Sequence, residues 1–339
     1  MAAVRPEGAR VACLAVTEGG QRLAGRIAAA IGGVMIPGRS GMAGLIAALW
    51  REYDGLICVM ATGIVVRCLA PLVADKQSDP AVVVVDEAGR YAVSLLSGHL
   101  GGGNDLARRV ARVTGGQAVI TTASDVLGHT ALDLWAAAQN LAVEDRQTLT
   151  QASARLVNHG LLRIFSEVPV VSLPMDFIVT PEPATADCIV SHRLGPWPEA
   201  ALILRPRRLV AGIGCNRGAS RDQIAAALAE ACACHGLARS AIRNLASIDV
   251  KQDEAGLLAF AEGMGLSIVF YSKDQLNGVA GLSPSEAVLR ATGAQGVAEP
   301  AALLSSAANN LIVRKMKWKD VTIAIAEAPC TLSAPAPAA

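Results

Sequence analysis

Residues 55–67 read GLICVMATGIVVR. Gly55 to Met60 is an unbroken apolar run of strand length, and Thr62-Gly63 stands where a helix N-terminus would begin. An apolar strand passing directly into a helix is the repeating unit of an α/β layered sheet. The same run excludes a membrane span. The apolar stretch to Val66 is only about twelve residues long, against the ~20 a spanning helix needs, and Arg67 closes it, so a mean hydropathy of +0.40 reflects a large buried core. At the N-terminus, Pro6, Glu7 and Arg10 interrupt the apolar run a signal peptide requires. A cytoplasmic protein is expected, with no membrane partner.

Working outward, the pattern repeats on both sides. Upstream lie a strand at Val11 to Val16, a turn at Glu18-Gly19-Gly20, a helix to Ile31, a short strand near Val34 to Ile36 and a helix near 43–53. Downstream, Ala81 to Asp86 and Tyr91 to Leu96 flank DEAGR, a hairpin signal. SGHLGGGN (97–104) then leads into a helix to about Val113, a strand at 118–121 and a helix at 131–141. This defines an N-terminal α/β domain over 1–142. Residues 143–204 differ. Prolines at 169, 174, 181, 183, 196 and 198 punctuate one helix (147–158) and short strands at 161–165, 177–180 and 188–191, a small α+β middle region. A separate C-terminal α/β domain is expected over 205–328. It runs from a strand at Leu209 to Ile213, through a glycine loop, alternating helices and strands, to a hairpin over 311–326. The Pro/Ala-rich end, 329–339, is expected to be disordered.

The chain has 339 residues, with 30 Lys+Arg against 29 Asp+Glu and a formal net charge of +1. That balance argues against a general nucleic-acid binder, and aromatic residues at 3% leave few platforms for stacked bases. The eight cysteines are scattered without a CxxC pair, so neither a disulfide framework nor a metal site is expected. Cys232, Cys234 and His235 share a helical segment but not one direction, which favours a small-hydrophobe role over a metal site.

Three loops carry possible chemistry. In the first, Gly101, Gly102 and Gly103 precede Asn104 and the helix it opens. Successive glycines let backbone N–H groups approach a carboxylate or phosphate, and the helix N-terminus adds a partial positive charge. The plainer reading is a strand-to-helix turn with Asn104 as N-cap. His99 lies within this loop, either as a general base or as a hydrogen-bonding strut. The second loop holds Thr62, Gly63 and Arg67, with Lys76 beyond; Arg67 suits a carboxylate, or else it is a solvated helix residue. The third is GIGCNRG (212–218). It approximates a dinucleotide fingerprint, but the third glycine falls one position late and no acidic residue closes a strand about 20 residues on. A nucleotide enzyme is thus disfavoured. Cys215 is open to two readings, a nucleophile at a helix start or a buried thiol. Lys251 and Glu254 sit in a strand-to-helix transition, and the alternating hairpin Arg314 to Lys319 reads as a solvated face that could attract a polycarboxylate.

Taken together, these runs resemble the CbiG family of the anaerobic cobalamin pathway. The resemblance is carried by ATGIVVRCLAPLVADKQSDPAVVVVDEAG, SLLSGHLGGGNDLA, VITTASD, GIGCNRG, ASIDVKQDE, GVAEPAALL and DVTIAIAE. The last third also resembles the CobE protein of the aerobic route. The resemblance implies hydrolysis of the δ-lactone of cobalt-precorrin-5A with release of acetaldehyde, giving cobalt-precorrin-5B. It implies no cofactor, the cobalt belonging to the tetrapyrrole substrate, and the neighbouring pathway enzymes as further partners. Within it, His99 is the catalytic candidate. Thr62, Gly63, Arg67, Lys76, Gly101, Gly102, Gly103 and Asn104 would contact substrate, and Gly212, Gly214, Cys215, Lys251 and Glu254 would line a second cradle. Relatives tend to carry Ala at position 103, where Gly103 here is expected to loosen the loop. The competing reading is a non-catalytic chaperone that binds a corrinoid intermediate, as the CobE-like third suggests.

Overall fold

The computed structural model describes residues 9–37, 41–75 and 78–334. Lys76 therefore lies outside the described residues. Two compact units emerge: residues up to 138 with 156–160, and the remainder. Among the described residues no helix is long and apolar enough to cross a membrane.

The first unit is built on strands β1 (Val11–Ala15), β2 (Val34–Pro37), β3 (Gly55–Val59), β4 (Ala81–Val85), β5 (Tyr91–Leu96) and β6 (Gln117–Val119), in the sheet order β2-β1-β3-β4-β5-β6. All neighbours are parallel except the β4–β5 hairpin. Every residue of β1, β3 and β4 is buried, as in a sheet covered on both faces. Alternation sorts them: Val11, Cys13 and Ala15 pack with the helices Glu18–Ile31 and Gly103–Thr114, while Ala12 and Leu14 pack with Met42–Leu49 and Thr62–Leu69. The chain is thus α/β, as the opening stretch implies.

The second unit holds two five-stranded sheets. Strands β7 (Leu141–Val143), β8 (Leu162–Ser166), β9 (Phe177–Val179), β10 (Cys188–Val190) and β11 (Leu202–Pro206) are arranged β7-β11-β10-β8-β9. Strands β7 and β11 were not expected. The helix Leu132–Ala138 stops early, and Asn140 takes a positive φ of 54° that redirects the chain into β7. The tail also differs from expectation: Leu332 is fully buried, bridges to Val170 and donates its N–H to Pro169 O at 2.9 Å. An apolar side chain with a place to bury outweighs the Pro/Ala composition around it. Residues 335–339 lie outside the described residues.

The last sheet comprises β12 (Leu209–Cys215), β13 (Ile242–Ile248), β14 (Ile268–Tyr271), β15 (Leu311–Lys317) and β16 (Val321–Glu327), in the order β14-β13-β12-β16-β15. Helices Arg221–Cys234 and Ala255–Met264 cover one face, and Ala298–Ser306 lies on the other. Ser220 and Gln223 close a reciprocal cap at the start of the first helix, which leaves two fewer orphan N–H groups. Gly212 is where Ala298–Ser306 presses closest: a Cβ there would stand 1.8 Å from Ala298 O. Gly212→Ala must push the helix off the sheet, and overpacking of this kind costs about 1–3 kcal/mol. Urea unfolding of the full chain is expected to show that loss; a variant as stable as the parent would mean the helix moves aside freely.

Candidate active site

In the first unit, the loop after β5 brings His99 against the helix Ala123–Leu127, a short element absent from the sequence expectation. His99 Nε2 lies 3.0 Å from Asp125 Oδ2 and 3.2 Å from Ser124 Oγ, and Nδ1 faces Asp133 Oδ1 at 3.6 Å. Its side chain is 22% exposed, enough to meet a ligand at one edge. Asp125 is the hub. Its Oδ2 also accepts from Asn104 Nδ2 at 2.9 Å, and its Oδ1 accepts from Arg108 Nη2 at 2.5 Å. Asn104 donates as well to Thr122 Oγ1 at 3.2 Å. Asp125, Asp133 and Ser124 escaped sequence reasoning as site residues. The TTASD run offers only a helix-start signature, and nothing local announces that it folds back onto His99.

Two carboxylates against one imidazole favour its charged form. Asp133 is the first cause and Asp125 acts the same way, while partial burial opposes both; the net effect lifts His99 above its ordinary value near 6.5. Asp133 responds inversely. Burial works to raise it, but the nearby His99 ring, with the backbone N–H of Leu134, holds it below the usual carboxylate range. His99 thus faces a carboxylate from each ring nitrogen, Asp125 at Nε2 and Asp133 at Nδ1.

The glycines serve the loop's shape. Gly102 N donates to His99 O at 2.7 Å, Gly103 N to Ser97 O at 3.0 Å and Asn104 N to Gly98 O at 2.9 Å. Gly102 caps the helix with a φ of 81°, so Asn104 is not the N-cap but a buried residue of the first turn. A Cβ on Gly101 would lie 2.3 Å from that of Ser97, and one on Gly103 would lie 2.7 Å from Leu96 O. Gly103 therefore answers close packing, which corrects the expectation that it loosens the loop. Thr62 and Gly63 open the helix Thr62–Leu69, as expected. Arg67, exposed in its last turn, donates to Gly63 O at 3.0 Å and has no acidic partner among the described residues.

In the second unit, a pocket of about 410 Å³ is lined by Gly214, Cys215 and Lys251, a size ordinary for ligand clefts. Gly212 and Glu254 do not line it. Gly212 is sealed beneath Ala298–Ser306, and Glu254 is a buried brace that accepts from Gly218 N at 2.7 Å and Lys251 Nζ at 3.1 Å. Burial would raise the Glu254 carboxyl, yet those two bonds keep it below its usual range. Cys215 ends β12 rather than opening a helix and is only partly buried, so the helix-start premise of the nucleophile reading is absent; burial pushes its thiol up despite Lys251.

Residues 44–125 match the family model described as Cobalamin synthesis G N-terminal, and 209–326 match Cobalamin synthesis G C-terminus. The chain belongs to the cobalamin synthesis G family. It is 38% identical over 304 residues to "Cobalt-precorrin-5A hydrolase" of Priestia megaterium, covering 84% of this chain and 81% of that one. It is 33% identical over 350 residues to the protein of the same name in Salmonella typhimurium, covering 96% and 99%. "Protein CobE" of Sinorhizobium sp. is 36% identical over 129 residues, covering 37% of this chain and 83% of that one. The N-terminal family match takes in Thr62, Arg67, His99, the glycine loop, Ser124 and Asp125, and stops short of Asp133.

The sign of the His99 shift sets a stability test. A pKa raised on folding contributes stability that is fully present below the unfolded value and is lost as pH rises through the folded one. His99→Gln is therefore expected to cost more stability near pH 6 than near pH 9 in denaturant titrations. Asp133→Asn and Asp125→Asn should each lower the His99 titration midpoint followed by NMR. A midpoint unmoved by both would show that these carboxylates do not govern the ring.

Proposed function

We propose that this chain hydrolyses cobalt-precorrin-5A: water opens the δ-lactone, and a carbon–carbon bond then breaks to release acetaldehyde and leave cobalt-precorrin-5B. The observation that carries the reading is identity running through both family regions with relatives named for that hydrolase. The chaperone alternative draws on a likeness confined to 37% of the chain and is not favoured.

His99 is suited to both proton movements, which concern the same oxygen. As imidazolium, it gives a proton to the lactone oxygen as water adds to the carbonyl and the ester C–O bond breaks, and the protons of the added water pass to solvent as the new acid ionises to its carboxylate. The neutral imidazole then takes the proton back from the freed hydroxyl. The carbon–oxygen double bond of acetaldehyde forms, the adjacent carbon–carbon bond breaks, and its electron pair passes to the macrocycle, which is reprotonated from solvent. Asp125 and Asp133 position the ring and stabilise its charged form, and Asn104 positions Asp125. The amides of Gly102 and Gly103, engaged within the loop, are not assigned an oxyanion role; they shape the turn that presents His99. Arg67 and Lys76 anchor substrate carboxylates, with Thr62 and Gly63 adding donors. The chemistry as written transfers no electrons to a carrier, and the cobalt arrives within the substrate.

Acetaldehyde release from cobalt-precorrin-5A by the purified chain, coupled to a nicotinamide-dependent alcohol dehydrogenase, tests the reading directly. Tight binding without aldehyde would hand the case to the chaperone. His99→Ala is expected to slow release at least ~10²-fold with affinity nearly unchanged, whereas a wild-type rate would return His99 to a structural role. Arg67→Ala is expected to weaken binding and reduce its sensitivity to salt, and an unchanged dissociation constant would remove it as an anchor.

A further inference from the structure

One wall of the 410 Å³ pocket is not used by the chemistry above. Lys315, Lys317 and Lys319 line it from β15 and the turn that follows, and Lys251 lines it from the turn after β13. Asp320 is the acidic residue among the lining side chains. Its carboxylate is occupied by neutral donors, Asn216 Nδ2 at 3.0 Å and Gln223 Nε2 at 3.3 Å. Lys251 is paired with Glu254. The side-chain ammonium groups of Lys315, Lys317 and Lys319 have no acidic partner among the described residues, although the backbone N–H of Lys315 donates to Glu299 Oε1 at 3.0 Å. Like charges gathered around one concavity repel one another and attract anions, the more so where low-dielectric walls focus the field. Trp318, between two of these lysines in sequence, also lines the pocket, and its indole N–H is tied to Glu230 Oε2 at 2.8 Å. A large apolar surface is thus held beside the cations.

We infer that Lys315, Lys317 and Lys319 form a carboxylate-reading wall that selects a polycarboxylate macrocycle by its peripheral acid groups, with Trp318 meeting its apolar body. The identity of the natural ring rests on the hydrolase reading; the binding site does not. Lys315 and Lys317, two residues apart on β15, share a side, and Lys319 adds a third cation from the turn that follows, so separate carboxylates along one edge can be met. The wall also explains how a chain of net charge +1 can hold a polyanion: the positive charge is concentrated locally.

The test is binding of uroporphyrin to the full chain by calorimetry and tryptophan fluorescence, compared with coproporphyrin, which has half as many carboxylates. Uroporphyrin is expected to bind more tightly, and to weaken as salt screens the contacts. The K315Q/K317Q/K319Q variant is expected to lose at least ~10-fold in uroporphyrin affinity and most of the salt dependence. The matching triple arginine variant keeps both, which separates charge from misfolding, and Trp318→Phe diminishes the fluorescence change. Wild-type affinity in the triple glutamine variant, or equal salt-insensitive binding of the two porphyrins, would overturn the assignment. A parent chain that binds uroporphyrin through these lysines yet releases no acetaldehyde from cobalt-precorrin-5A would sink the hydrolase reading and leave this wall standing. Aldehyde release with unchanged KM in the triple glutamine variant would do the reverse.

Discussion

Close approach of backbone to backbone is the constraint on which both units depend. With aromatic residues at 3%, the interior is filled by short side chains, and helices settle near the strands they cover. At Gly212 a Cβ would meet Ala298 O at 1.8 Å, at Gly256 it would meet Ala219 O at 1.9 Å, and at Gly116 it would meet Gly89 O at 2.2 Å. Close packing gains dispersion contacts but leaves no slack, so these positions tolerate little. Glycines that look like ligand loops in the sequence are in several places the points where two backbones touch.

The same constraint shapes the His99 loop. Ser97 at a φ of 54° and Gly102 at 81° turn the chain back on itself, and the amides of Gly102, Gly103 and Asn104 hold that turn. What the turn delivers is a histidine set between Asp125 and Asp133. The carboxylates favour the charged form of the imidazole and fix its orientation.

The two units divide the physical labour. The first sets one imidazole between two carboxylates. The second concentrates positive charge around a cavity, while Glu254 pins Lys251 and the Gly218 loop. Overall charge near neutrality is compatible with both because electrostatic recognition depends on local arrangement.

Much of the architecture was legible along the chain. Five-residue apolar strands, the DEAGR hairpin and the start of the helix at Thr62 each follow from local patterning, because burial on both faces and turn chemistry are written in consecutive residues. His99 and Arg67 stood out by their loops, and the family by the order of its motifs. Strands β7 and β11 were hidden because their pairing is set by partners distant in sequence, and Leu332 because its burial depends on a surface formed around Val170. Asp125 and Asp133 gave no sign of their role, since carboxylates 26 and 34 positions beyond His99 acquire one only when the chain returns. Local patterning along the chain suffices for the α/β class and the glycine-bearing turns, and the order of motifs suffices for the family. Tertiary structure alone decided which amides are spent, which acids clasp the histidine and which lysines share a cavity, because each depends on distances in space that spacing along the chain does not encode.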